Sequence, residues 1–198
     1  VTWTPALSSL YSAVPIEQEL SFHIIGERLN ASGSRKFKET MLDGDLEQML
    51  TIAKTQTAEG ANSLDVCVDY VGRDGTADMV NLVSHLATKS TLPLVVDSTE
   101  IEVVESALKR LGGRAVINSV NLEDGRRKAD VLFPMAKRYG SALIALAIDE
   151  EGQARTADWK VDVCKRIADI GIGEFGLEAS DLIFDTLTFP LGSGQEDL

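Results

Sequence analysis

The chain of 198 residues predicts an α/β fold of repeated strand–helix units, a (β/α)8 TIM barrel represented by about six of those units. Three observations carry this. Short, nearly unbroken apolar runs rich in Val, Ile and Leu alternate with longer amphipathic stretches, as buried parallel strands alternate with covering helices. Turn signals and glycines separate the two kinds of segment. Polar residues collect just after every apolar run, where a parallel barrel keeps its chemistry.

Residues 1–21 are aperiodic and contain Pro5 and Pro15, which reads as an N-terminal arm or linker ahead of a barrel domain over 22–198. The first run is Phe22–Gly26. Leu46, Met49, Leu50 and Ala53 then recur at helical spacing, with Gly60 placed as a stop. Ser63–Val68 is the second run, followed by a helical face at Val80, Val83 and Ala87. The third, Leu92–Val96, precedes Val103, Val104, Ala107 and Leu108, with Gly112 beyond them. Arg114–Ile117 and Ser141–Ile148 are the fourth and fifth, and the alternation places a helix between them. Val161, Cys164, Ile167 and Ala168 give one more face before the sixth run, Asp181–Phe184. Six strands leave a doubly wound sheet and a barrel open. A doubly wound sheet concentrates polar groups at one switch point. Here all six strand ends carry them, which favours the barrel.

Composition narrows the function. Hydrophobic residues make up 44% and charged residues 25%, as in ordinary globular domains. A net charge of −12 argues against nucleic acid or an anionic membrane as partner. No apolar run nears the roughly 18 residues that span a bilayer, and no secretory leader is visible, so a cytoplasmic protein is expected. Cys67 and Cys164 lie far apart inside core segments and read as reduced, buried thiols. His23 and His85 have no metal-ligand spacing, and no metal site is expected.

The polar set is Glu27, Arg28 and Asn30 after the first run; Asp65 inside the second and Asp69 at its end; Asp97, Ser98 and Thr99; Asn118, Ser119 and Asn121; Asp149 and Glu150; and Asp185, Thr186 and Thr188. It is rich in Asp and Asn. A carboxylate only accepts, so it can take two N–H groups from a guanidine-like edge, while an Asn amide reads a donor and an acceptor together. These groups suit a flat heterocycle. No Gly-rich phosphate loop of either common type follows a strand. Each residue also has a plainer explanation. Asp97-Ser98-Thr99 can cap a helix, Asn118 and Asp185 can hold loops, and Asp149-Glu150-Glu151 can be a solvated turn.

The segments Ile25-Gly26-Glu27-Arg28-Leu29-Asn30, Gly33-Ser34, Lys36-Phe37, Leu64-Asp65, Asp69, Val96-Asp97-Ser98-Thr99, Ile117-Asn118-Ser119-Val120, Asp149 to Ala154 and Ile183-Phe184-Asp185 resemble, in order and spacing, the folate-binding domain of cobalamin-dependent methionine synthases. The likeness runs from about Phe22 to Leu198. It implies a pterin-binding barrel with 5-methyltetrahydrofolate as methyl donor. It also implies a cobalamin cofactor on a separate module, and a homocysteine-binding module in the same full-length protein. Carried over by position, Glu27, Asp97, Asn118 and Asp185 contact the pterin, joined by Asn30, with Asp65 supporting them or the ring edge. The resemblance places an N5-activating Asn beyond Leu198. It also implies that the barrel here is truncated, without its seventh and eighth strands. Asn is frequent in the family where this chain has Cys67. The alternatives are a catalytically silent barrel fragment, or another pterin enzyme such as dihydropteroate synthase.

Overall fold

A computed structural model describes residues 4–188. The chain divides into two compact units, Val1–Asn118 with Tyr139–Ser141, and Ser119–Arg138 with Ala142–Leu198.

In the first unit, β1 (Ala6–Ser8) and β2 (Ala13–Pro15) form an antiparallel hairpin in the segment where the sequence showed no periodicity. Backbone and hydroxyl groups dock it. Ser8 N–H donates to the Arg114 carbonyl at 3.0 Å, Arg114 N–H donates to Ser8 Oγ at 2.8 Å, and the Ser9 and Ser12 hydroxyls both donate to the Thr91 carbonyl. Leu7 is buried beneath it.

The first core strand, β3 (Ile25–Asn30), starts later than the sequence suggested. Phe22 and Ile24 are exposed, and Glu27, Arg28 and Asn30 lie inside the strand rather than after it. The cause is a bulge: register against β4 (Ser63–Cys67) shifts between Gly26 and Leu29. The Arg28 N–H freed by the bulge donates to Gln56 Oε1 at 2.7 Å. A Cβ at position 26 would stand 2.7 Å from that same oxygen, so a side chain there must push Gln56 off the bulge.

Two helices follow β3. Ser34 caps α1 (Arg35–Asp43) by accepting Phe37 N–H, and Gly44 closes it in the left-handed conformation. Asp45 caps α2 (Leu46–Ala58), whose buried face includes Met49, Leu50, Ile52 and Ala53. After β4, Asp74 caps α3 (Gly75–Lys89). Its buried face is Met79, Leu82, Val83 and Leu86, one position away from the expected Val80 and Ala87. β5 (Leu94–Asp97), α4 (Ile101–Leu108) and β6 (Val116–Val120) complete the set. Gly112 does not stop α4 in a left-handed turn. It and Gly113 instead make room for Leu10 and for the Ser8 carbonyl of the hairpin.

The second unit holds most of α5 (Ala129–Tyr139), which contains Pro134, then β7 (Ala142–Leu146). The long fifth run breaks after β7, and β8 (Ile148–Asp149) pairs with β9 (Gly152–Gln153) as a small hairpin. Thr156 caps α6 (Ala157–Ala168), which continues into a π-helical turn at Asp169–Glu174. α6 buries Val163 and Ile167, leaving Val161 exposed and Cys164 only half-buried, so Cys164 is not the core thiol the spacing suggested. β10 (Leu182–Asp185) pairs in parallel with β7.

The six-stranded sheet has the order β10-β7-β6-β5-β4-β3, and the registered pairs β3–β4, β4–β5, β5–β6 and β7–β10 are parallel. Each strand neighbours its successor in the chain, with no reversal. A doubly wound sheet reverses at its switch point, whereas a barrel wall advances in one direction. Among the described residues no helix is long and apolar enough to cross a membrane.

Candidate functional site

Register assembles the site in the first unit. Asn30 is paired with Cys67 and Asp97 with Asn118. The β4–β5 ladder runs Leu64↔Leu94, Asp65↔Val95, Val66↔Val96, so its next step sets Cys67 beside Asp97. Asn30, Cys67, Asp97 and Asn118 thus form one lateral row at the C-terminal ends of four adjacent strands. Asp65 lies two residues earlier on β4 and faces the same way, one layer deeper. That depth explains why Asp65 is 3% exposed while Asp97 and Asn118 are half-buried.

The Asn30 amide ties the row together. Its Nδ2 donates to Asp65 Oδ2 at 2.9 Å and to Asp97 Oδ2 at 3.0 Å. Its Oδ1 accepts the N–H groups of Ser32 and Gly33, fixing the loop that leads to α1. The amide therefore spends both donors on carboxylates and presents them in a fixed geometry.

Burial pushes the Asp65 carboxyl up to about 6, with the charges of Asp97 and Glu27 adding to the rise and the Asn30 and Asn118 amides opposing it. Oδ1 of Asp65 is buried without a well-formed hydrogen bond. Asp97 is also raised, first by burial and then by Asp69, with Glu27 adding, against hydrogen bonds from Asn30 and Cys67. The Cys67 thiol is pushed up to about 12 by burial and by the acidic fields around it, so it stays protonated and can donate to Asp97. Two acids that resist ionisation, set beside two amides, form a site that gains from a ligand bearing N–H groups.

Asp97 does not cap the next helix. Glu100 occupies the N-cap position of α4 and makes no side-chain capping bond. Asp97 is therefore turned toward the row instead. Glu27 is exposed and reaches the cluster through its field on Asp65 and Asp97.

Asp185 lies in the second unit, at the end of β10. It is exposed and accepts Leu187 N–H at 2.8 Å, holding Leu187 at φ 55, an unusual conformation for a branched side chain. Asp149, also in the second unit, is buried. It accepts Trp159 Nε1–H at 2.8 Å and Glu151 N–H at 2.9 Å, so it anchors the β8–β9 hairpin to α6 rather than forming a solvated turn. The structure thus brings Asn30, Asp65, Asp97 and Asn118 together, with Glu27 acting through its field. Among the described residues no group of three or more His, Cys, Asp or Glu is placed to hold a metal ion.

A one-directional parallel sheet with polar groups at its strand ends defines an α/β protein of the barrel class. A family model described as pterin binding enzyme matches residues 26–198. The chain belongs to that pterin-binding enzyme family. It is 51% identical over 201 residues to methionine synthase of Mycobacterium tuberculosis and 48% identical over 200 residues to that of Mycobacterium leprae. Each alignment covers all of this chain, and the chain spans 17% of each relative's length. Among solved structures, the 7,8-dihydropteroate synthase of Vibrio fischeri matches with a TM-score of 0.66 at 17% identity, covering 94% of this chain and 68% of that one. Yersinia pestis DHPS with a pterine-sulfa conjugate matches with a TM-score of 0.61 at 16% identity, covering 90% of this chain and 63% of that one. At these identities the structural likeness establishes the fold.

Proposed function

We propose that this chain binds the pterin ring of 5-methyltetrahydrofolate and presents its N5-methyl group for transfer to cobalamin, within a methyltransferase that makes methionine. The observation that carries the proposal is the Asn30–Asp65–Asp97–Asn118 cluster at the ends of four adjacent strands. The identity to two methionine synthases supports it. The 2-amino and ring N–H edge of a pterin is guanidine-like, so an acidic acceptor can take two of its donors side by side. Asn118, beside Asp97 in register, then reads an adjacent ring acceptor and donor. Asp185 is proposed as a further pterin contact. Residues 22–198 serve as the barrel domain and 1–21 as its leading arm.

The row contains carboxylates, amides and a buried thiol but no histidine, so it suits the pterin and offers no hold for a corrinoid. We assign cobalamin and homocysteine to other modules of the full-length protein. Bound there, the cobalamin would supply the nucleophilic cobalt centre that accepts the methyl group. This chain's contribution is orientation. It fixes the ring so that hydrogen bonds to it strengthen as N5 loses its methyl and gains charge.

Calorimetric titration with 5-methyltetrahydrofolate tests the proposal. Saturable one-site binding is expected, with loss of most affinity in Asp97→Ala and in Asp185→Ala. Unchanged affinity in both variants would overturn it. Turnover of a pterin pyrophosphate with 4-aminobenzoate would instead point to dihydropteroate synthesis.

A further inference from the structure

Asp69 lies just past the end of β4 and is half-buried. Its carboxylate takes three hydrogen bonds from the end of the next strand. Ser98 Oγ donates to Oδ1 at 2.7 Å, and Thr99 N–H and Thr99 Oγ1 donate to Oδ2 at 2.9 Å and 3.1 Å. Ser98 Oγ in turn accepts Glu100 N–H at 3.1 Å. The start of α4 is therefore capped from the neighbouring strand, through Asp69 and Ser98. This leaves Asp97, next to that turn, free of capping and aimed at Asn30.

We propose that Asp69 is a positioning residue for pterin recognition: it locks the Ser98–Thr99 turn and so fixes the aim of Asp97. The proposal rests on the reading that Asp97 contacts the pterin. The groups facing Asp97 are Glu27 and Asn30 from β3, Asp65 and Cys67 from β4, Asp69 from the segment after β4, and Asn118 from β6. Asp69 is the acidic neighbour with the largest effect in raising Asp97 toward its protonated form.

Two substitutions in the full chain separate the roles. Asp69→Asn is nearly isosteric, retains an acceptor for Thr99 N–H and removes the charge. Asp69→Ala removes both. Affinity for 5-methyltetrahydrofolate is measured from pH 4 to 8, and the Asp97 carboxyl is followed by carbon-13 NMR in the ligand-free chain. The carboxyl midpoint should move to lower pH in Asp69→Asn, and the acid limb of binding should move with it. The pterin's own titration is common to both proteins and cancels. Near pH 7, Asp69→Asn should bind within about threefold of the parent, and Asp69→Ala about tenfold more weakly or worse, since loss of all three hydrogen bonds to the carboxylate frees the turn that aims Asp97. Affinity of Asp69→Ala within about threefold of the parent, or an Asp97 carboxyl signal and midpoint unchanged in both variants, overturns the proposal. If the parent chain does not bind 5-methyltetrahydrofolate, the reading of function fails, and the carboxyl midpoint still decides the role of Asp69.

Discussion

Asp65 is a buried acid whose proton is held up to about 6 in the folded chain, against an ordinary value of 3.8. The folded state binds the extra proton between those values, so stability falls as pH rises through that window. Below 3.8 the ionisation penalty is absent, and above about 6 it is fully present, about 3 kcal/mol at most. Asp65→Asn is therefore expected to raise stability at pH 7 by up to that amount and to flatten the stability–pH profile between pH 4 and 6. The same variant should bind 5-methyltetrahydrofolate more weakly, since a site often gives up stability for function. Urea melts across pH, paired with titration calorimetry, check both halves. A variant no more stable than its parent at pH 7 would mean that Asp65 is better solvated than its burial implies. The acids of this row were visible in the sequence because Asp97 follows an apolar run and Asp65 interrupts one. The division of labour among them was not. Whether Asp97 caps a helix depends on where α4 begins, and three hydrogen bonds to Asp69, 28 residues earlier, settle that. Spacing likewise carried no sign that one Asn30 amide bridges two acids from two strands.

Strand and helix identity were largely legible, because buried parallel strands read as unbroken apolar runs. Their edges and faces were not. Phe22–Gly26 looked like the first strand, yet the bulge at Gly26 moves the strand toward Asn30. A bulge leaves no periodic trace. Gly26→Ala should cost about 1–2 kcal/mol, because the new methyl presses on Gln56 and Ala61 and disturbs the bond to Arg28. Adding Gln56→Ala should recover part of that loss, a non-additivity that a double-mutant cycle in urea would read. The arm was unreadable because its attachment is made by backbone and hydroxyl groups rather than by an apolar face. Gly113 betrays it: a Cβ there would stand 2.1 Å from the Ser8 carbonyl oxygen. Gly113→Ala should therefore loosen the hairpin and speed hydrogen exchange at Ser8 N–H, while amides of β4 and β5 stay protected. Unchanged exchange at Ser8 would mean that the arm yields without leaving. In α6 the apolar residues outnumber one face, so Val161 and Cys164 competed with Val163 in the pattern, and packing chose Val163.

At the scale of the molecule, a one-directional strand order agrees with the barrel expected from the strand ends. It also leaves β3 and β10 each paired on one side only among the described residues. Unpaired parallel edges offer rows of free N–H and C=O groups, and Ile25 and Phe184 are both exposed on them. Concentration-dependent light scattering from this chain is the expected result, strengthening with salt as the repulsion of a −12 chain is screened. A clean monomer at all concentrations would show that the edges are protected.

The indole of Trp159 is tied to the buried Asp149 carboxylate and sits wholly in the second unit. Trp3 is the other tryptophan in the sequence. Replacing Trp3 with Phe would make tryptophan emission, excited selectively over tyrosine, a private signal of the second unit. Circular dichroism, in contrast, sums helices from both. Superimposed optical transitions would describe one cooperative block, and separated ones would give each half of the chain its own melting curve.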